Sequence, residues 1–196
     1  MQTEVEAKFP NIEPSSFRSI LTQLGAIQEY PEILMRRRNF DYDDHRLEKI
    51  GGWIRVRDEG DKVTLTYKQL SDRTLHGTKE IEVVVNDFDK TCDLLISIGM
   101  ISKAYQETKR EKWKFGNVEI TIDTWPWVPP FIELEGPNEE DVKMSASLLG
   151  LDWNKAMHGS VETIYQMHYD FTEEEIDRWP SITFIPEPDW LLVKKK

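Results

Sequence analysis

Residues 2–9 alternate between charged and apolar side chains, with Glu4, Glu6 and Lys8 on one face and Val5, Ala7 and Phe9 on the other. A period of two residues is that of an extended strand. Pro10 ends the run. The same alternation returns at Trp53–Arg57 and Val63–Lys68, joined by the turn sequence Asp58-Glu59-Gly60-Asp61. It returns again at Thr78–Val85, at residues 104–115 and 117–124 folded about Gly116-Asn117, and at Phe131–Glu135. Residues 26–43 form a long extended segment rich in Arg, Phe and Tyr, followed by a polar loop that runs from Asp43 to Gly52. Between these strands the period changes to that of helices. Pro14–Leu24 has apolar residues at helical spacing, Asp87–Ile98 has an acidic first turn and stops at Gly99, and Asn138–Leu149 is capped by Asn138 and closed by Gly150. A shorter helix is predicted near 160–169. Helical spacing assigns Phe17, Leu21, Leu94 and Leu95 to the core.

About eight strands joined mostly as antiparallel hairpins, with helices inserted, make the class α+β. The pattern predicts one domain: a body over residues 1–170 and a C-terminal helix or extended tail over 171–196 attached to it. Pro180, Pro186 and Pro188 predict an irregular tail with a frayed end at Lys194–Lys196.

The charged faces carry more than solvation requires. Seven carboxylates (Glu4, Glu6, Glu80, Glu82, Asp123, Glu133, Glu135) and six bases (Lys8, Arg55, Arg57, Lys68, Arg110, Lys112) recur at i, i+2 spacing. Any one such strand is ordinarily the solvated face of a sheet. The set, poor in Ser and Gln and rich in Arg, predicts a closed eight-stranded antiparallel β-barrel with charges inward and helices covering the apolar outer face. Confined charges must be neutralised by partners. Carboxylates suit a hard divalent cation such as Mg²⁺ or Mn²⁺, and Arg and Lys suit phosphate oxygens. The set's net charge is −1, which two divalent ions would bring to +3. A triphosphate carries roughly four negative charges at neutral pH.

Composition narrows the classes. The chain has 196 residues, 25 Lys plus Arg and 36 Asp plus Glu, for a formal net charge of −11. Nucleic acid and anionic membranes are therefore not the expected partners. No 18-residue apolar run and no signal-like N-terminus occur, so a cytoplasmic location is expected. The single Cys92 excludes an internal disulfide. His45, His76, His158 and His168 lack the spacing typical of metal ligation. Arg36-Arg37-Arg38 alternate in direction along their strand and are left outside the candidate set.

These residues resemble the CYTH proteins, the triphosphate tunnel metalloenzymes. Glu4-Val5-Glu6-Ala7-Lys8 resembles the N-terminal Glu-x-Glu-x-Lys signature. Trp53-Ile54-Arg55-Val56-Arg57 resembles the paired-Arg strand, Leu65-Thr66-Tyr67-Lys68 the next Lys strand, and Lys79-Glu80-Ile81-Glu82 the central Glu strand. Thr108–Trp113 resembles the late basic strand, and Ile122-Asp123 with Ile132–Glu135 the closing acidic pair. The resemblance, over residues 2 to about 165, implies a β-tunnel that binds a triphosphate and one or two divalent ions. It implies metal ligation by Glu4, Glu6, Asp123, Glu133 and Glu135, and phosphate binding by Lys8, Arg55, Arg57, Lys68, Arg110 and, secondarily, Lys112. Glu4, Glu6, Lys8 and Arg110 would be catalytic, and Glu80 and Glu82 secondary tunnel charges. Thr124–Pro130, Trp-rich and stiff where family members are often Gly-rich, is expected to pack on a covering helix rather than stack on a ligand. The tail after Tyr169 has no counterpart in the family.

Two enzymatic readings follow from the resemblance. A hydrolase for tripolyphosphate, nucleoside or thiamine triphosphate needs only the tunnel and an activated water. A class IV adenylate cyclase, making cyclic AMP and pyrophosphate from ATP, also needs an adenosine pocket that the sequence does not display, so hydrolysis ranks first. A non-catalytic polyphosphate or nucleotide sensor and a purely structural β-domain are the alternatives from other classes. The partner is expected to be a small-molecule triphosphate, with a homodimer left open.

Overall fold

The structure, a computed structural model, describes residues 2–3, 5–72 and 74–196. The alternating segments are strands: β1 (Gln2–Thr3), β2 (Val5–Phe9), β3 (Ile27–Tyr42), β4 (Gly52–Asp58), β5 (Val63–Leu70), β6 (Thr78–Val85), β7 (Met100–Phe115), β8 (Val118–Thr124) and β9 (Phe131–Gly136). They form one antiparallel sheet in the order β1-β6-β5-β4-β3-β7-β8-β9-β2. β1 and β2 are successive stretches of one N-terminal strand, so eight strands curl until the first meets both edges.

Closure is only partial, which corrects the closed barrel expected from the sequence. β1 pairs with β6 at Gln2↔Glu80 and Thr3↔Lys79, whereas β2 pairs with β9 from Val5↔Gly136 to Phe9↔Ile132. A strand this short divides its residues between two neighbours, covering nearly all of β9 and only the start of β6. Among the described residues, no strand pairs with that edge of β6 beyond Glu80.

The outer face is apolar and is covered by helices. α1 (Pro14–Gln23) starts at Glu13, whose carboxylate accepts hydrogen bonds from the Ser15 and Ser16 amides. With α3 (Glu139–Leu148), capped by Asn138 as expected, it lays Phe17, Leu21, Val142 and Ala146 on Ala7, Ile120, Ile132 and Leu134. Each large side chain buried there contributes about 1.5–3 kcal/mol relative to exposure. α2 (Phe88–Ser97) covers a second patch with Phe88, Cys92 and Leu95 against Phe40, Val56 and Met100. Here the expected stripe is corrected. Leu94 and Ile98 are exposed, because the buried face is set by Phe88, Thr91, Cys92 and Leu95 and Leu94 lies one helical step off it.

The C-terminal region is more ordered than its prolines predicted. α4 (Glu162–His168) and α5 (Glu173–Asp177) are followed by β10 (Ser181–Ile182), which pairs in parallel with Tyr105 and Gln106 of β7, and then by α6 (Asp189–Leu192). Trp179, Ile182 and Leu191 are buried with Tyr165, Tyr169, Trp125 and Phe131 in a third apolar cluster. The lysine end is tied down: the Lys194 carbonyl accepts from the Asp170 amide, and the Lys196 amide donates to the His168 carbonyl. Anchors spaced without a period leave no pattern to read, which is why the tail looked irregular. The Thr124–Pro130 connection packs as expected. Trp125 meets Tyr165 edge-on, and the Tyr165 and Tyr169 hydroxyls donate to the carbonyls of Pro126 and Trp127.

Trp179 touches the rings of Trp127, Tyr165, Phe171 and Trp190. Trp179→Ala is therefore expected to cost about 3–5 kcal/mol of stability in urea unfolding. A cost well under 1 kcal/mol would show that the tail is not part of the folded core.

Candidate active site

With the apolar faces of the strands turned to the helices, the opposite faces line a cavity of about 840 Å³. Glu6 and Lys8 of β2, Arg55 and Arg57 of β4, Lys68 of β5, Glu80 and Glu82 of β6, Arg110 and Lys112 of β7, and Glu133 and Glu135 of β9 all reach it. Asp123 of β8 is fully buried in the wall directly behind Arg110. Glu4 lies outside the described residues.

The centre of the wall is a chain of charges of alternating sign. Lys8 Nζ lies 2.9 Å from both Glu6 Oε1 and Glu133 Oε1. Arg110 reaches Glu133 Oε2 at 2.7 Å and takes Asp123 in a two-pronged pair, at 2.6 Å through Nε and 2.9 Å through Nη2. The Thr121 hydroxyl donates to the same Asp123 carboxylate at 2.6 Å. Strand register makes this possible, because Lys8↔Glu133↔Thr121 and Arg110↔Asp123 are directly opposite one another.

Charges this dry hold only if each is compensated. Burial alone would raise the Glu133 carboxyl, but Lys8 and Arg110 outweigh it and hold the group well below the usual carboxylate range. Burial likewise opposes the charge on Lys8 and Arg110, and the surrounding carboxylates overcome it and raise both. Glu6 goes the other way. Burial and the neighbouring Glu133 charge lift it to about 8, against the pull of Lys8. Glu6 thus takes up a proton where two carboxylates converge. All the donors here are hard oxygens, and a divalent cation supplies the same neutralisation as that proton, so the set fits Mg²⁺ or Mn²⁺.

Several further lumen charges are met in pairs. Arg57 reaches Glu59 at 2.7 Å, Lys68 reaches Glu80 at 3.4 Å, and Arg55 lies 3.7 Å from Glu82, whose carboxylate also accepts from the Thr66 hydroxyl. Glu80 and Glu82 thus each lie beside a lumen cation, Lys68 and Arg55 respectively. Lys112 is held between Glu119 and Glu29 at 2.7 and 3.3 Å.

The sequence reading missed several lumen residues. Arg37 lines the cavity, whereas Arg36 turns out to Asp58 and the Phe88 ring, and Arg38 to the Tyr105 ring. The alternation separated Arg37 from its neighbours but gave no sign of which side faced in. Glu59, placed by its sequence in a turn, bends back and is buried against Arg57. Lys103 and Tyr30 also line the cavity. Outside the expected metal set, the ligand atoms of Asp41, His45 and Glu48 lie within 4.8 Å of one another. Hydrogen bonding accounts for them: Asp41 caps the loop by accepting from the Tyr42, Leu47 and Glu48 amides, and Glu48 is taken by Lys103 at 2.6 Å and by His45 at 3.0 Å.

A model of the CYTH domain matches residues 2–173. The chain belongs to the CYTH domain family. No curated protein matches this CYTH sequence. Solved structures with the same CYTH fold include a conserved hypothetical protein from Pyrococcus furiosus, 20% identical, TM-score 0.68, covering 83% of this chain and 99% of that one. A Vibrio parahaemolyticus protein proposed to be an adenylate cyclase is 16% identical, TM-score 0.73, covering 84% and 98%. A Hippeastrum protein, proposed to be an adenylyl cyclase and described as having a dominant triphosphatase activity, is 14% identical, TM-score 0.54, covering 89% and 95%. At these identities the likeness is one of fold. Among the described residues, no helix is long and apolar enough to cross a membrane.

The Glu6 assignment has a signed consequence. A carboxyl whose folded pKa is raised binds a proton that the unfolded chain releases, so its stabilisation is complete below about pH 4.5 and is lost as pH rises toward about 8. Lys8, raised above the ordinary lysine range, and Glu133, held below the carboxylate range, both keep their charge throughout that window and change little in it. In chelator-treated protein, the wild-type melting temperature should fall from pH 5 to 8 relative to Glu6→Gln. Parallel profiles for the two proteins would remove Glu6 as the titrating group.

Proposed function

We propose that this CYTH protein is a divalent-metal-dependent triphosphatase that hydrolyses an inorganic or organic triphosphate within the charged tunnel. The observation that carries the reading is the convergence of Lys8, Arg55, Arg57, Lys68 and Arg110 with Glu6, Asp123, Glu133 and Glu135 around one cavity. Phosphate oxygens would take the cations, with Lys112 secondary, and Glu4, Glu6, Asp123, Glu133 and Glu135 would hold one or two ions. When bound, the metal neutralises phosphate charge and lowers the pKa of a coordinated water.

The chain's own contribution is positioning and charge. Arg55, Arg57 and Arg110 present planar forks that match two phosphate oxygens at once. Phosphoryl transfer spreads negative charge over the oxygens of the transferred group, so fixed cations lower the barrier without having to reorganise. Glu133 holds Lys8 and Arg110 in place before any ligand arrives. No side-chain nucleophile is needed: Cys92 is buried under α2, away from the tunnel. The Hippeastrum relative's described triphosphatase activity supports hydrolysis, and the Vibrio relative supports cyclisation as the second reading. Hydrolysis ranks first because the clamp and a water suffice, whereas cyclisation must also align a ribose hydroxyl with the α-phosphate.

Phosphorus NMR with Mg²⁺ or Mn²⁺ decides between them. Orthophosphate and pyrophosphate from tripolyphosphate, or ADP and orthophosphate from ATP, are expected. Cyclic AMP with pyrophosphate would make the protein a cyclase, and tight binding without turnover would make it a sensor. Glu133→Gln should lower kcat at least about 100-fold, because it loosens both Lys8 and Arg110 and removes a metal-set carboxylate. Undiminished turnover would exclude Glu133 from the site.

A further inference from the structure

Arg37 differs from the other tunnel arginines in how its charge is met. Arg110 is paired with Asp123 and Glu133, Arg57 with Glu59, and Arg55 lies near Glu82. Among the described residues, no carboxylate forms an ion pair with Arg37. Its contacts are the Trp125 ring, 4.4 Å from the guanidinium carbon to the ring centre, and a long 3.4 Å hydrogen bond from Nη2 to the Thr108 hydroxyl. A guanidinium has five N–H donors, more than these contacts use, and Arg37 lines the cavity.

Its surroundings make the position costly. On β3, Arg37 sits directly opposite Arg57 of β4, and like charges across a strand pair repel. Burial first, and then Arg55, Arg57 and Arg110, push its pKa well below the arginine range. An arginine nonetheless keeps its proton in a protein, so the strain is expressed as an unmet demand for negative charge. A cation–π contact offsets part of that demand and cannot match an anion.

We infer that Arg37 is a further phosphate-oxygen ligand of this tunnel, seated on the Trp125 ring and completing a group of four converging guanidiniums with Arg55, Arg57 and Arg110. The inference rests on the triphosphate reading above and deepens it. The carboxylates of β2, β8 and β9 line one wall, and Arg37 with Arg57 lines the wall of β3 and β4. A ligand bridging both walls needs phosphoryl groups on one side and metal-bound oxygens on the other, as an extended polyphosphate chain provides. Arg36 and Arg38, which face out of the lumen, have no such role.

The test is calorimetric titration of tripolyphosphate with Mg²⁺ into the wild type, Arg37→Gln and Arg57→Gln, with ligand-free melting curves for each. Arg37→Gln should weaken binding at least tenfold while its ligand-free melting temperature stays level or rises, because a charge crowded by Arg55, Arg57 and Arg110 has been removed. If that variant does not fold, Arg37→Lys serves instead: it keeps the charge, loses the fork, and should still weaken binding several-fold. Wild-type affinity in the Arg37 variant, beside weakened binding in Arg57→Gln, would overturn the Arg37 assignment alone. So would a lowered ligand-free melting temperature for Arg37→Gln together with wild-type affinity in Arg37→Lys, which would make Arg37 a structural residue. No binding by the wild type would overturn the triphosphate reading itself.

Discussion

The pairing of Lys8 and Arg110 with Glu6, Glu133 and Asp123 is the interaction on which the rest of the structure depends. An ordinary antiparallel sheet turns its apolar face inward and its charges to water. Here the strands do the reverse, and a lumen lined with charge can form only if neighbours across the strands neutralise one another. Replacing such a network with well-packed apolar side chains is often neutral or stabilising for a fold. Its retention is therefore an argument about ligand binding more than about stability. Stability comes from outside the tunnel, where the apolar faces must be covered. That is the task of α1, α2, α3 and the C-terminal segment, and it explains why a single sheet is wrapped by three separate apolar clusters.

Much of this could be read from the sequence, because a two-residue period is robust. Each of Glu6, Lys8, Arg55, Arg57, Lys68, Glu133 and Glu135 has an apolar residue beside it, so parity alone assigned its side of the sheet, whereas Arg110, flanked by Lys109 and Glu111, has no such reference. Parity fails where both neighbours are also charged. Arg36-Arg37-Arg38 offers no apolar reference, and only the packing of Trp125 from a distant connection decides which arginine faces in. It fails too at Glu59, where a turn sequence conceals a carboxylate that folds back into the lumen. Leu94 was misplaced for a simpler reason. Two adjacent leucines cannot share one helix face, and Phe88 rather than Leu94 sets the buried stripe. The tail lacks any period, so its anchors Trp179, Ile182 and Leu191 became visible only through their contacts.

The partial closure follows from the same economy of residues. The N-terminal strand supplies two lumen charges to one neighbour through β2 and leaves only Gln2 and Thr3 for β6. Curl is maintained chiefly by the two sixteen-residue strands β3 and β7, paired along most of their length with register shifts that bend them. β10 then adds to β7 and brings Ile182 to the cavity beside Trp125. The tail is thus connected to the lumen through an aromatic wall: Trp179 packs on Tyr165, Tyr165 meets Trp125, and Trp125 carries Arg37.

The proposed chemistry must work against the network that holds the tunnel together. A phosphate oxygen that takes Arg110 competes with Asp123 and Glu133, and a divalent ion that takes those carboxylates competes with Arg110 and Lys8. Either ligand alone frees charges that then lack partners in a dry wall, which is costly. Bound together, the cation satisfies the carboxylates and the triphosphate satisfies the bases, and no lumen charge is left without a partner. Metal and triphosphate should therefore strengthen one another's binding by the same factor, since a coupling free energy between two sites is reciprocal. Arg37 enters this exchange differently. It gives up no carboxylate when a phosphate arrives, so its contribution is not reduced by a lost ion pair.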